Sequence, residues 1–307
     1  MFVGQPAWHG LGTVLDHPPT TREAIVAAKM DLVNHVEPLF YADKLSGQAK
    51  TVPNRAVVRE DGVYLGTVGA EYEVLQNHEA FAWFDPVLEA GLATIEAAGT
   101  LRGGRVVWVL AKNKGVGFSV VKGDDVEQYL LLVHAHDGTM AITCGFTNVR
   151  VVCWNTLSAA LREAERLLKF RHSRNCRVNL EKARDTFTLA ASQFNRTCES
   201  YQFLAKVKCD DKTARRYFRE VFAPGRADDE KAATVTVNRI FPLFEGGVGR
   251  ELAPGTMWNA FNAITQFNTH NRSRTADARL EGQWLGKSAK DTNRALDVAL
   301  QFAKQAA

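Results

Sequence analysis

The stretch Leu101-Arg-Gly-Gly-Arg-Val-Val-Trp-Val-Leu110 decides the fold class. Gly103 and Gly104 supply the positive φ that a tight turn demands, and the β-branched and aromatic run after them alternates with the period of a strand. Arg105, Val107 and Val109 share one face, while Val106, Trp108 and Leu110 share the other, which assigns Trp108 to a core. Further strand-like runs lie at 94–97, 127–134 and 140–152. Upstream, 33–41, 55–59 and 63–68 read as an earlier meander, with Glu60-Asp61-Gly62 turning between its last two strands.

Helices punctuate these strands. Thr20-x-x-Glu23 is a capping box for a short helix through residue 28. Asn77 is placed to cap a second helix, whose apolar side is Leu75, Phe81, Phe84 and Leu88, and Asn155 to open a third over 156–170. Val-Leu-Gln-Asn77 and Val-Cys-Trp-Asn155 thus read as an internal echo. From residue 179 the periodicity is helical, over 179–206, 211–222, 232–243, 256–270 and 288–306. The expected fold is α+β: antiparallel strand meanders with helices packed on one face, a β-β-β-α-like core, then a helical C-terminal region. The expected domains are 1–175, strand-rich, and 176–307, helical.

Composition narrows the function. At 307 residues and 46% hydrophobic, the chain can bury one large core or two ordinary ones without covalent staples. It has no apolar run of spanning length and no leader pattern in its first thirty residues, so a cytoplasmic, bacterial-host setting is expected. Five cysteines, odd in number and never spaced CxxC, argue against a disulfide framework and a zinc knuckle. The net charge of +4 is unevenly placed: residues 1–150 carry 12 Lys and Arg against 17 Asp and Glu, leaving the remainder basic.

Several segments carry a resemblance. Pro6-Ala-Trp-His-Gly-Leu-Gly12, Gly66-x-Val-Gly69 with Tyr72-x-x-Leu75-Gln-Asn77, the 101–110 stretch, His136-Asp-Gly138, Val149-Arg-Val-Val-Cys-x-Asn-Thr-Leu157 and Trp258-x-x-x-Asn262-Ala-x-Thr265 match in order and spacing a family of phage/plasmid-like proteins of unknown function. More distantly, the strand and helix order resembles the core of single-strand annealing proteins of the Red-beta and Erf class. These resemblances imply a mobile-element setting and, from the second, ring or filament assembly on single-stranded DNA without a cofactor.

The residues themselves suggest a polyanion path. Arg102-Gly-Gly-Arg105 sets two guanidiniums on either side of one turn, where both can reach a phosphate backbone. In the expected third helix Arg162, Arg166 and Lys169 recur on one face, and Arg171, Arg174 and Arg177 extend the charge beyond it; Arg150 precedes it. Lys206, Lys208, Lys212, Arg215, Arg216 and Arg219 form a second cluster with Tyr217 and Phe218 between them, though Phe218 and Phe222, four residues apart on a helix, suit burial. Chemistry has fewer candidates. His134-x-His136-Asp137 is the one metal-like arrangement, needing a further ligand such as His9, His78 or His270. Gly282-x-x-x-Gly286-Lys-Ser288 is one residue short of a phosphate loop, and no nucleophile elbow or Cys–His pairing occurs. The leading expectation is a DNA-binding accessory protein, a single-strand annealing protein, gripping phosphates through Arg102, Arg105, Arg150, Arg162, Arg166, Lys169, Arg171 and Arg174. The alternatives are a metal-dependent nuclease or hydrolase on His134, His136 and Asp137, and a protein-interaction factor acting against host defence.

Overall fold

The computed structural model describes residues 1–3, 13–150, 155–158, 168–189, 194–275, 278–279, 282–283 and 286–306. The fold is mixed α+β. Strands β1 (Phe2–Val3), β2 (Val14–Leu15), β6 (Ala93–Leu101), β7 (Val106–Val121), β8 (Asp124–Ala135), β9 (Ile142–Arg150), β10 (Asn155–Ser158) and β11 (Leu168–Phe170) form one sheet. Its order is β10-β9-β8-β7-β6-β1-β2, with β11 also on β9; β3 (Asn34–Ala42), β4 (Ala49–Arg59) and β5 (Tyr64–Val68) form a second sheet in chain order.

The 101–110 stretch behaves as its pattern predicts. Leu101 pairs with Val106 across the turn, and Trp108, 3% exposed, lies opposite Gly99. A Cβ on Gly99 would stand 3.0 Å from the indole ring, so the missing side chain there makes room for the tryptophan. Val106, Val107 and Val109 are buried as well, so both faces of this strand are covered.

The chain forms two compact units: Met1–Lys114, Leu130–Gly145 and Leu167–Leu189 in one, Gly115–Tyr129, Phe146–Arg166 and Ala190–Ala307 in the other. The expected cut near residue 175 is linear, whereas these units exchange segments within β7, β8 and β9, strands long enough to run from one into the other. In the first unit α1 (Thr21–Ala27) starts at the Thr20–Glu23 capping box. Helix α2 (Asn77–Phe81), a 3-10 turn and α3 (Asp85–Glu89) follow β5, and α4 (Cys176–Leu189) follows β11; the Trp83 Nε1–H donates to the Leu180 carbonyl of α4 at 2.8 Å.

The second unit is built on α5 (Phe194–Lys206), α6 (Asp211–Phe222), α7 (Thr234–Gly246), α8 (Met257–Gln266) and α9 (Lys287–Ala306). Asp210 caps α6 by accepting the Thr213 amide at 2.8 Å, and the helix stops just before Pro224-Gly225. Every residue from Met257 to Thr265 is buried, which makes α8 the central helix of its unit. Trp258 donates to the buried Asp124 at 2.8 Å, and Asn262 Nδ2 and Thr265 Oγ1 donate to carbonyls within α8. The Trp258-x-x-x-Asn262-Ala-x-Thr265 motif is therefore internal scaffolding.

Two sequence expectations are corrected. Residues 156–170 do not form one helix: Asn155–Ser158 and Leu168–Phe170 are strands on β9, and 159–167 lie outside the described residues. The leucine spacing suits a helix, but the outer edge of β9 offers unpaired backbone that these two short strands satisfy. Nor does Asn77 cap its helix. Gln76 occupies the cap, with its N–H bound by the Glu79 carboxylate at 3.0 Å, because the Asn77 amide is committed elsewhere. The internal echo goes with these corrections, since Asn77 begins a helix and Asn155 a strand.

Candidate nucleic-acid interface

Strand direction gathers the basic residues. β6 ends at Leu101, β7 begins at Val106, β8 ends at Ala135, β9 begins at Ile142, and Phe170 at the end of β11 pairs with Ile142. All five boundaries fall at one end of the large sheet. That end is crowned by the 102–105 turn, the 136–141 turn and the 171–175 segment, all in the first unit.

The 102–105 turn is held in an unusual conformation. Arg102, Gly103 and Gly104 have φ of 54°, 69° and 93°, three consecutive left-handed residues. For arginine this costs on the order of 1 kcal/mol. Its guanidinium leans on the neighbouring turn, 3.3 Å from Thr139 Oγ1 and 3.6 Å from the Asp137 carboxylate. Gly104 leaves space for Arg59, whose Nη1 would be 2.6 Å from an added Cβ and which binds Asp61 with two nitrogens. Arg105 is exposed, and its carbonyl accepts the His136 N–H at 2.7 Å. The second sheet presses on the 136–141 turn: a Cβ on Gly66 would lie 2.6 Å from the Asp137 Cα, so only glycine allows this backbone approach.

Beneath this rim lies a file of rings, the part-buried Tyr72 and three buried imidazoles. Tyr72 stacks on His172 at 4.8 Å between centroids, His172 is 5.5 Å from His134, and His134 is 4.8 Å from His136. The Tyr72 hydroxyl donates to the Ala135 carbonyl at 3.1 Å. His136 Nε2 lies 2.9 Å from Asn77 Oδ1, an acceptor, and 3.2 Å from Asn34 Nδ2, a donor, so two buried amides bracket this nitrogen. Asn77 Nδ2 in turn donates to the Met30 carbonyl at 2.8 Å. Neither ring nitrogen of His134 or His172, nor Nδ1 of His136, has a hydrogen-bond partner among the described residues. Burial pushes His136 and His172 down to about 4, and burial together with the neighbouring imidazoles holds His134 well below the usual range. The file is neutral at pH 7.

The expected metal set is not assembled. His134 and His136 are neighbours, but the Asp137 carboxylate accepts from the Thr139 N–H and hydroxyl and faces Arg102. The third imidazole is His172, which the sequence did not single out; its position in a basic loop carried no local signal. Among the described residues no group of three or more His, Cys, Asp or Glu could hold a metal ion.

Of the expected phosphate contacts, Arg102, Arg105, Arg171 and Arg174 meet at the sheet end, and Lys169 lies beside them on β11. Arg105, Lys169, Arg171 and Arg174 are all exposed. Arg177 is tied to Glu79 at 2.8 Å. Arg150 is the last residue of β9, with its side chain outside the description; Arg162 and Arg166 lie outside the described residues altogether. Lys169 is on a strand, so the shared helix face expected for it with Arg162 and Arg166 does not hold.

In the second basic cluster Lys206, Lys208 and Lys212 are exposed, whereas the three arginines are engaged within the unit. Tyr217 and Phe218 are fully buried, Arg215 lies 3.5 Å above the Phe241 ring, Arg216 binds Asp228 at 2.6 Å, and Arg219, 9% exposed, donates to the Ala227 carbonyl. Lys287 of the near-phosphate-loop pairs with Asp291 on its own helix. Among the described residues no helix is long and apolar enough to cross a membrane.

No curated protein and no solved structure shows significant similarity to this chain. A family model does match, over residues 64–297, a span that takes in β5, Asn77, both turns of the sheet end, the histidine file and the central helix α8. The chain belongs to the family described as Domain of unknown function (DUF932).

Proposed function

We propose that this is a DNA-binding accessory protein of a phage or plasmid, a single-strand annealing protein that holds the phosphate backbone at the end of its large sheet. The observation that carries this reading is the gathering of Arg102, Arg105, Arg171 and Arg174 on adjacent strand ends, with Lys169 alongside. From β7 to β11 there are three strand steps, about 14 Å at roughly 4.8 Å each. That distance accommodates about four stacked nucleotides at roughly 3.4 Å apiece. Most contacts would go to phosphates, so binding is sequence-tolerant and salt-sensitive. No aromatic side chain is exposed at the 102–105 or 136–141 turns, which favours grip by charge over base stacking.

The test is fluorescence anisotropy of a labelled single-stranded 30-mer with the full chain at about 50 mM salt. Retention that falls steeply toward 200 mM supports the reading. Absence of retention at 50 mM would sink it.

A further inference from the structure

The smaller sheet carries an arm that no described residue of its own unit covers. β3 and β4 remain paired to their tip, with Tyr41 opposite Lys50 and Ala42 opposite Ala49. From Pro38 outward on β3, and up to Asn54 on β4, no residue is buried. Phe40 is 58% exposed, Tyr41 51% and Leu45, in the turn, 98%. Adjacent residues on a strand point to opposite faces, so the ribbon presents an aromatic ring on each side. A two-stranded ribbon is marginal in water by itself, and exposed apolar surface of this kind marks an interface.

The same unit contains a receptacle. An open cleft of about 930 Å³ lies beside α1, with Ile25, Val26, Met30 and Leu88 in its wall; Val26 is 54% exposed. Its charged lining is Asp31, Asp85 and Glu89 against Arg22 and Lys114, one net negative charge. The arm tip is complementary: Lys50 pairs with Asp43, and Lys44 is exposed with no ion pair among the described residues.

The arm of a given chain cannot fill its own cleft. Leu32 lines the cleft, and β3 begins two residues later at Asn34. From there β3 pairs with β4 along its length, and eight steps of roughly 3.4 Å carry the tip about 27 Å away. An arm that fills the cleft must therefore come from another molecule, and the tip offers apolar side chains and a cation to a cleft with an apolar wall and a net negative charge. We propose that the Phe40–Leu45 arm of one copy seats in the α1 cleft of the next, head to tail. Such a contact closes into a ring or continues as a filament. It involves none of the sheet-end arginines and does not rest on the DNA reading.

The experiment uses the full chain without nucleic acid, by sedimentation velocity from about 1 to 100 μM. The expected result is concentration-dependent association, weakened about tenfold or more by Leu45→Asp and by Val26→Glu. Both positions are exposed, and unchanged thermal melting confirms that the variants fold. Leu45→Cys and Val26→Cys are then mixed with a short bis-maleimide, wild type serving as background for the native cysteines. A crosslinked dimer that forms in the mixture but in neither variant alone confirms arm-to-cleft contact. A monomer at every concentration overturns the proposal. So does Leu45→Cys crosslinking to itself as readily as to Val26→Cys, which would mean that arms pair with arms.

Discussion

The sheet end and helix α6 are equally rich in cations along the sequence and differ in what those cations do. On α6 Lys212 is exposed, but each arginine is engaged: Arg215 covers a phenylalanine ring, Arg216 meets a carboxylate and Arg219 is buried on a carbonyl. At the sheet end only Arg102 and Arg59 lean on carboxylates, while Arg105, Arg171 and Arg174 are exposed without ion pairs to described residues. Charge density therefore does not identify a ligand surface. The partner of each charge does, because a cation already desolvated against a ring or carbonyl has little further attraction to offer a phosphate.

The sharpest way to probe the contrast is acid. The imidazoles of the file beneath the sheet end have folded pKa values below the ordinary 6.5, so the unfolded chain binds more protons in the interval between. Stability is fully present above about pH 6.5 and is lost as the pH falls toward 4, by roughly 3 kcal/mol each for His136 and His172. Thermal melts from pH 7.5 to 4.5 should show the first unit failing early, whereas the α6 region contains no histidine to follow it. Equal acid sensitivity of both units, followed by hydrogen exchange, would contradict this account.

Neutralising Arg105, Lys169, Arg171 and Arg174 to glutamine should lower single-strand affinity about 100-fold at 50 mM salt, close to 2.7 kcal/mol, with melting unchanged. For four phosphate contacts the wild type should lose about 50-fold between 50 and 200 mM salt, and the variant much less. A variant that binds as tightly as wild type would move the interface away from the sheet end.

A third measurement separates the file from the rim above it. His134→Leu replaces a fully buried imidazole that has no hydrogen-bond partner among the described residues by an apolar group of similar size. Melting at pH 7.5 should change by less than about 1.5 kcal/mol, the pH 5 melt should rise, and DNA affinity should stay constant. Loss of affinity at pH 7.5 would give the histidines a part in binding. The smallest effect is expected on α6, where Arg215→Met should cost about 1 kcal/mol of stability and leave affinity alone.

The site was legible in part. The arginines of the 102–105 turn and the burial of Trp108 followed from glycine placement and strand alternation. The company of His134 and His136 did not: His172 arrives through the pairing of β11 with β9, and the local pattern around β11 suggests a helix. Gly66, Asn77 and Asp137, scattered across three quoted motifs, turn out to be supports of one sheet end, through a backbone contact and a hydrogen bond that no spacing encodes. Gly115, Gly117 and the lysines around them concealed that β7 runs on to Val121, where Val120 joins the core of the second unit.

What the sequence determined by itself is what depends on neighbours a few residues away: the α1 capping box, the bounds of α6 between Asp210 and Pro224, the tight turn at Gly103-Gly104 and the helical periodicity of α8 and α9. These follow from local hydrogen bonding and backbone sterics. Tertiary structure alone decided how the two units share their central strands, which cations have partners, and that three imidazoles and a tyrosine lie in file. Each of those depends on which distant segment completes an open strand edge or covers an apolar face, and that choice is made by the whole chain at once.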